Sequence, residues 1–369
     1  MEGEVIMKKT RALAVLTTAW VMVSCIGCGN VEKVASVPEQ EAVIDTQESV
    51  PLTETIETVP EEATEEETFE EVCTVEEIEQ MDEVSETKVV VDEIPAADVL
   101  PIYTECGTIE EISYITKDYY GDGAELTKKA FVYLPYGYDE TKQYNVLYLM
   151  HGIGGNEKEW GMYNNNSKVK AMMDHLIQDE KIEPFIVVAP NGRSSADFAN
   201  TNADYNAFYK FGEELRNDLI PYIDANYSTY AEYSEDGYDM TLARDHRAMA
   251  GLSMGGMQTT NIGMCECLDI ISYFGAFSAA PTTYNAAKIA ECLEMFEEYD
   301  IHYYYGVCGT SDGIALSSAQ AAVNGLTEKT DKLTDGENFT WQTLPGGHDF
   351  SIWYLGYYNF AQLVFKAFS

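Results

Sequence analysis

The chain has 369 residues, with 63 Asp and Glu against 22 Lys and Arg and a formal net charge of −41 at pH 7. A surface of that sign repels phosphate backbones and excludes a nucleic-acid binder working through a basic face. The length admits one large domain or two ordinary ones.

Residues 1 to 28 read as a targeting segment. Lys8, Lys9 and Arg11 form a basic start and Ala12 to Val23 an apolar stretch too short for a membrane span. The stretch runs into Ser24-Cys25-Ile26-Gly27-Cys28-Gly29-Asn30. A small residue before a cysteine at this place resembles a bacterial lipoprotein signal. Cys28, preceded by Gly27, is the expected lipidation site; Cys25 after Ser24 fits the same pattern, and a plain secretory signal is the alternative. The expectation is a protein at the bacterial cell surface, touching the membrane through a lipid anchor only, or secreted.

Residues 29 to 99 are a different material. From residue 31 to 99 there are 23 Asp and Glu against Lys33 and Lys88, with no glycine. Like-charge repulsion and a shortage of large apolar groups argue against a core, so this segment is expected to be a disordered spacer.

Residues 100 to 369 are globular in composition. Thr127 to Leu134, Asn145 to Met150, Phe185 to Ala189, Tyr273 to Phe277, Ile301 to Cys308 and Phe339 to Thr343 read as strands. Phe211, Leu215, Leu219 and Ile223 recur every four residues and mark an amphipathic helix, and a closing helix is expected over Ser351 to Phe368. Apolar strands alternating with helices predict an α/β fold with a mostly parallel central sheet covered on both faces. The eight cysteines are scattered, Cys265-Glu266-Cys267 has the wrong spacing for a zinc pair, and no phosphate loop or dinucleotide fingerprint occurs. No cofactor and no metal are expected.

The stretch that organises the domain is Gly251-Leu252-Ser253-Met254-Gly255-Gly256, after the apolar run Ala248-Met249-Ala250 and before a helix over Met257 to Met264. Strand, Gly-x-Ser-x-Gly and helix are the context of a nucleophile elbow, which holds a serine hydroxyl at the carboxyl edge of a sheet. Such a serine needs a base. Of the five histidines, His175 falls on a helix, His302 begins a strand, His246 would support the turn before the elbow strand, and His151 opens a glycine loop. His348, in Pro345-Gly346-Gly347-His348-Asp349-Phe350 after the last strand, is the expected base. The base in turn needs a carboxylate. Asp312, directly after the strand Ile301 to Cys308, has the right place in the order serine, acid, histidine. Asp349 would have to reverse to reach its neighbour, and Asp331 and Asp335 fall in a polar loop. An oxyanion would be met by the backbone N–H of Met254 and by that of Ile153 in the glycine loop after Met150. Trp160 and Trp353, with Phe198 and Tyr354, are candidates for stacking on a substrate.

These pieces together carry a resemblance. His151-Gly152-Ile153-Gly154-Gly155, Asp245 to Gly256, Gly309-Thr310-Ser311-Asp312 and Gly346-Gly347-His348-Asp349-Phe350 with Trp353 resemble the feruloyl-esterase domains of carbohydrate esterase family one, found in bacterial xylan-degrading systems. The resemblance covers the whole of residues 100 to 369. It implies an α/β-hydrolase with Ser253 as nucleophile, His348 as base and Asp312 as acid, hydrolysing acyl groups on an esterified plant polysaccharide or oligosaccharide. The wider superfamily also contains acetylxylan esterases, S-formylglutathione hydrolases, enterochelin esterases and mycolyltransferases, so another ester substrate or a non-catalytic carbohydrate-binding role is the alternative. The acidic insertion Tyr233 to Thr241 departs from the feruloyl-esterase pattern.

Overall fold

A computed structural model describes residues 89–234 and 236–366. The expected targeting segment, Cys28 and most of the spacer lie outside the described residues.

Among the described residues, eight strands form one sheet in the order β1-β2-β4-β3-β5-β6-β7-β8. They are β1 (Thr108–Lys117), β2 (Glu125–Leu134), β3 (Val146–Met150), β4 (Ile186–Pro190), β5 (Arg247–Leu252), β6 (Tyr273–Phe277), β7 (Tyr303–Gly309) and β8 (Phe339–Leu344). The six strands from β4 to β8 are parallel, and β2 and β1 add an antiparallel margin. β3 to β7 read as apolar runs because each is buried on both sides. β1 has no such run. It turns Ile112, Tyr114 and Thr116 inward and alternates them with exposed residues, as an edge strand with one wet face does.

Side chains alternate between two layers of core. Val146, Tyr148 and Met150 of β3 face one layer, and Leu147 and Leu149 the other. The first layer is closed by α2 (Phe211–Glu214) and α3 (Ile220–Asn226), joined by a π turn, with α5 (Ala286–Leu293) and α6 (Leu316–Val323). The second is closed by α1 (Lys168–Gln178) and α7 (Phe350–Leu363). α4 (Met254–Gln258) continues as a π segment over Thr259–Met264; Ile262 and Met264 join the first layer, while Met254 and Met257 pack with Phe208 and Ala280 in a smaller cluster. A stripe spaced strictly by four drifts off one face of a 3.6-residue helix. The wider π turn at Leu215–Leu219 brings it back, and Phe211, Leu215, Leu219 and Ile223 are all fully buried. The closing helix is shorter than its composition suggests. It stops at Leu363, Val364 is extended, and Phe365 turns back at positive φ to pack on Phe185 and Tyr273.

The domain boundary at residue 100 requires correction. Val90, Val91, Ile94 and Val99 pack on the second core layer. The backbone of Val91 donates to Asn359 Oδ1 at 3.0 Å and accepts from Asn359 Nδ2 at 2.9 Å and Gln342 Nε2 at 3.0 Å. Buried Asp98 accepts from the Tyr358 hydroxyl at 2.7 Å. Acidic composition hid these contacts, which are made by four apolar side chains, the main chain and the carboxylate of Asp98. A chain beginning at Leu100 should therefore unfold more easily than one beginning at Val89, by on the order of 3 kcal/mol in urea, since it exposes apolar surface and leaves the buried Asn359 amide short of partners. Equal midpoints would mean that the segment contributes nothing.

Candidate active site

Ser253 sits between β5 and α4 with φ 51° and ψ −112°, a left-handed conformation that a non-glycine residue adopts only when its surroundings enforce it. Its backbone N–H donates to Phe277 O at 2.9 Å, and its carbonyl accepts from Ala280 N at 2.9 Å and Met257 N at 3.0 Å. The flanking glycines are there for space. A Cβ on Gly255 would fall 2.6 Å from the Met150 carbonyl oxygen, and one on Gly251 would fall 2.7 Å from Met150 Cβ.

The hydroxyl of Ser253 lies 3.0 Å from His348 Nε2, and His348 Nδ1 lies 2.8 Å from Asp312 Oδ2. The backbone brings the last two together: Thr310 N donates to Leu344 O and Ser311 N to Gly346 O, lacing the loop after β7 to the loop after β8. Gly309 permits this, since a Cβ there would meet the Gly346 carbonyl at 2.4 Å. Asp312 is buried. Burial alone would raise its carboxyl, but the Ala315 N–H, His348 and the Ile314 N–H all favour the anion and hold it below the usual carboxylate range. Since that carboxylate accepts from Nδ1–H, Nε2 is left as the acceptor facing the serine hydroxyl. The other carboxylates are elsewhere. Asp349 caps α7, accepting from Ser351 N at 2.8 Å and Ser351 Oγ at 2.6 Å, and Asp331 and Asp335 are exposed.

The glycine loop after β3 lies against the serine: a Cβ on Gly152 would come within 3.4 Å of Ser253 Cβ. Its peptide planes are fixed from behind. The Gly152 carbonyl accepts from His151 Nδ1 at 2.7 Å and from Gly155 N at 3.2 Å. In a trans peptide the following Ile153 N–H points the opposite way, off that cluster. His151 Nε2 accepts from Gly192 N at 2.9 Å, so the ring is the neutral Nδ1–H tautomer. Arg193 then donates from Nη2 to Ile153 O and from Nη1 to Gly155 O at 2.7 Å, while its guanidinium lies over the Phe208 ring. Glu159 Oε2 accepts from Gly152 N at 2.6 Å. Met254 begins α4, so its N–H has no partner within the helix.

Behind Arg193 is a buried ion pair. Lys128 and Glu214 are both inaccessible to solvent and meet at 2.6 Å. Lys128 Nζ also donates to Asn191 O at 2.8 Å and Arg193 O at 2.9 Å, and Glu214 accepts from Ser194 Oγ and Tyr114 OH. Sequence reasoning did not single out these residues. The available signal was a charge in phase with an apolar stripe: Lys128 shares a strand face with Ala130 and Val132, and Glu214 adjoins Leu215 on the buried side of its helix.

Residues 125–278 match the Esterase family model. Endo-1,4-beta-xylanase Y of Acetivibrio thermocellus is 34% identical over 242 residues, which are 63% of this chain and 21% of that protein. An endo-1,4-beta-xylanase/feruloyl esterase of Xylanibacter ruminicola is 32% identical over 249 residues, 64% of this chain and 30% of that one. The chain thus spans about a fifth to a third of the length of these curated relatives. Among solved structures, the feruloyl esterase module from Clostridium thermocellum, a serine-to-alanine mutant complexed with sinapinate, is 30% identical with a TM-score of 0.59, and the match covers 75% of this chain and 94% of that one. The chain belongs to carbohydrate esterase family one. It is an α/β-hydrolase and a carboxylic ester hydrolase of the feruloyl-esterase type.

Two residues expected to stack on substrate are placed differently in the esterase. Trp160 is 1% exposed, donates from Nε1 to Met150 O at 3.0 Å, and packs edge-on against Phe277, Phe350 and Tyr354. It is a core residue that satisfies the carbonyl preceding the glycine loop. Trp353 is 8% exposed and presents its ring edge-on to His348 at 5.1 Å, so it buttresses the imidazole and offers no open face. Phe198 is half-buried beside Lys128, and Tyr354 is half-buried against Phe350 and Trp160. Among the remaining histidines, His175 contacts Leu100 O from α1, and His246 bonds Asn145 Oδ1 at 2.7 Å at the amino end of β5, the end away from Ser253.

Burial pushes His151 down from 6.5 to about 3, and the Gly152 carbonyl only partly offsets it. The folded esterase therefore keeps this ring neutral while the unfolded chain takes up a proton below about pH 6.5. The resulting stability is complete above that pH and is lost progressively as pH falls from about 6.5 towards 3. Its full size is on the order of 5 kcal/mol. In His151→Gln, whose amide does not titrate, urea unfolding should depend less steeply on pH across this window than in the parent. Parallel curves would show that the ring is not held neutral.

Proposed function

We propose that this esterase cleaves feruloyl-type or acetyl esters on a xylan-type polysaccharide through a serine acyl-enzyme. The observation that carries the reading is the hydrogen-bonded series Asp312, His348, Ser253 ending at a strained turn on the sheet edge. His348 Nε2 takes the hydroxyl proton as Ser253 Oγ bonds to the ester carbonyl carbon. The oxygen of the tetrahedral species then carries the negative charge and is met by the N–H groups of Met254 and Ile153. The imidazolium, stabilised by Asp312, returns its proton to the sugar oxygen as the C–O bond breaks. A water molecule repeats the sequence on the acyl-serine and releases the carboxylic acid. The likeness to the endo-1,4-beta-xylanase/feruloyl esterase of Xylanibacter ruminicola and the sinapinate bound by the Clostridium thermocellum module support a hydroxycinnamoyl group as the acyl part.

The same reading extends to location. Lys8, Lys9 and Arg11, the apolar run after them and Gly27-Cys28 support export and lipidation at Cys28, which would hold the esterase at the cell surface near its insoluble substrate. Cys28→Ala should then release full-length protein from the membrane fraction; retention there would count against that anchor.

Ser253→Ala should lower kcat on methyl ferulate by at least about three orders of magnitude without changing the unfolding midpoint. Activity above about a tenth of the parent would exclude Ser253 as the nucleophile. Asp312→Asn should cost up to about four orders of magnitude, because an amide favours the wrong imidazole tautomer. Asp349→Asn should lose only part of a helix cap and keep near-parental kcat. The opposite ranking would move the acid to Asp349. Release of ferulate from feruloylated arabinoxylan, with acetylated xylan and enterobactin as competitors, decides the acyl specificity.

A further inference from the structure

A cleft of about 670 Å³ opens at the amino ends of the parallel strands. Asn145, Glu183, Asp245 and His246, which precede β3, β4 and β5, contribute to its wall. Ser253 follows the other end of β5, a six-residue strand, so the two places are separated by about 20 Å. The cleft is therefore distinct from the acyl-ester site. Its volume lies within the range of small-ligand sites.

Its surface combines aromatic platforms with polar groups of balanced charge. Tyr136 is 55% and Tyr230 37% exposed, and both line it. Tyr230 lies flat on the His246 ring, 3.6 Å between centroids and 8° between planes. His246 is itself fixed by Asn145 Oδ1 at 2.7 Å. The tyrosine face is thereby held in one orientation before any ligand arrives, which reduces the ordering cost of binding. Burial lowers the proton affinity of His246, which favours the uncharged ring in the stack. Lys142 and Lys366 are matched by Glu183 and Asp245 around the cleft. Asp245 is also paired with Arg244 behind the wall, so the cleft carries no concentrated charge of one sign, and its carboxylates, ammonium groups and amides can all bond hydroxyls. The insertion Tyr233 to Thr241, which the acyl site does not use, is bracketed in sequence by Tyr230 and by Asp245-His246.

We propose that this cleft is a non-catalytic binding site for a neutral, unesterified pyranose chain. The C–H faces of successive sugar rings stack on Tyr230 and Tyr136, and their hydroxyls bond Asp245, Glu183 and Lys142. The choice of a xylan-type chain as the ligand rests on the substrate reading above; the existence of a sugar site does not.

The test is calorimetric titration of xylohexaose into the full-length Ser253→Ala protein, which cannot turn over an ester on that reading. Binding is expected, and Tyr230→Ala and Tyr136→Ala should each weaken it by about tenfold. In the Ser253 background the same two substitutions should leave kcat/KM on methyl ferulate within about twofold of the parent. Tyr136 is largely exposed, so its replacement keeps the test available if Tyr230→Ala unfolds. Absence of xylohexaose binding, binding that survives both substitutions, or a loss of methyl ferulate turnover in step with it would each overturn the proposal. Tyrosine-dependent binding in a protein that releases no ferulate would instead retain the cleft and refute the acyl-group reading.

Discussion

The structure depends on a close approach between two strand ends. The carbonyl of Met150, the last residue of β3, lies where any side chain on Gly255 would have to be, and its Cβ excludes one from Gly251. This contact forces the chain into a sharp reversal after β5, and Ser253 takes the positive φ that the reversal requires. A conformation of this kind costs on the order of 1–3 kcal/mol. It persists because the Ser253 backbone is bonded on both sides to the strand and loop of β6. Trp160, expected to meet ligand, satisfies the same Met150 carbonyl from within the core.

A second layer of order comes from buried charge. Lys128 and Glu214 are costly to desolvate, and an ion pair of this type is seldom a net source of stability. Its partners suggest a different role. It fixes the carbonyls of Asn191 and Arg193 and so sets the path of the loop after β4. Arg193 grips the glycine loop from that position, and Gly192 bonds His151. Gln258 joins the same loop to α4 by donating to Gly192 O and Phe208 O. Antiparallel β2, helix α2 and the loops after β3 and β4 are thus connected by polar contacts that an apolar core could not direct.

Much of this was legible in the sequence where burial leaves a simple trace. Strands covered on both faces are continuous apolar runs, and the elbow, the glycine loop and the two loops after β7 and β8 are marked by glycines, of which Gly251, Gly255, Gly152, Gly309 and Gly346 have a steric reason. Alternation in β1 was obscured by its charged outer face. The segment after Val89 was hidden because composition averages over side chains, whereas Val91 is held largely by its main chain. Trp160 lies in a stretch between motifs that reads as an exposed loop, and nothing in its neighbours announces that the Met150 carbonyl needs a donor. Choosing Asp312 over Asp349 as the partner of His348 from order alone leaves a neighbouring carboxylate unexplained; the structure gives Asp349 separate employment as a helix cap.

The clamp on the glycine loop has a kinetic consequence. Turning the Ile153 peptide would break the bond from Arg193 on one side, and turning the Gly152 peptide would break those from His151 and Gly155 on the other. On the proposed reading, the cradle for the negative oxygen is then assembled in the resting enzyme and requires no rearrangement on substrate arrival. An enzyme built this way acylates without a lag and has no dormant conformer to be switched on. On that reading, its turnover of a wall polymer begins at full rate as soon as an ester group is reached.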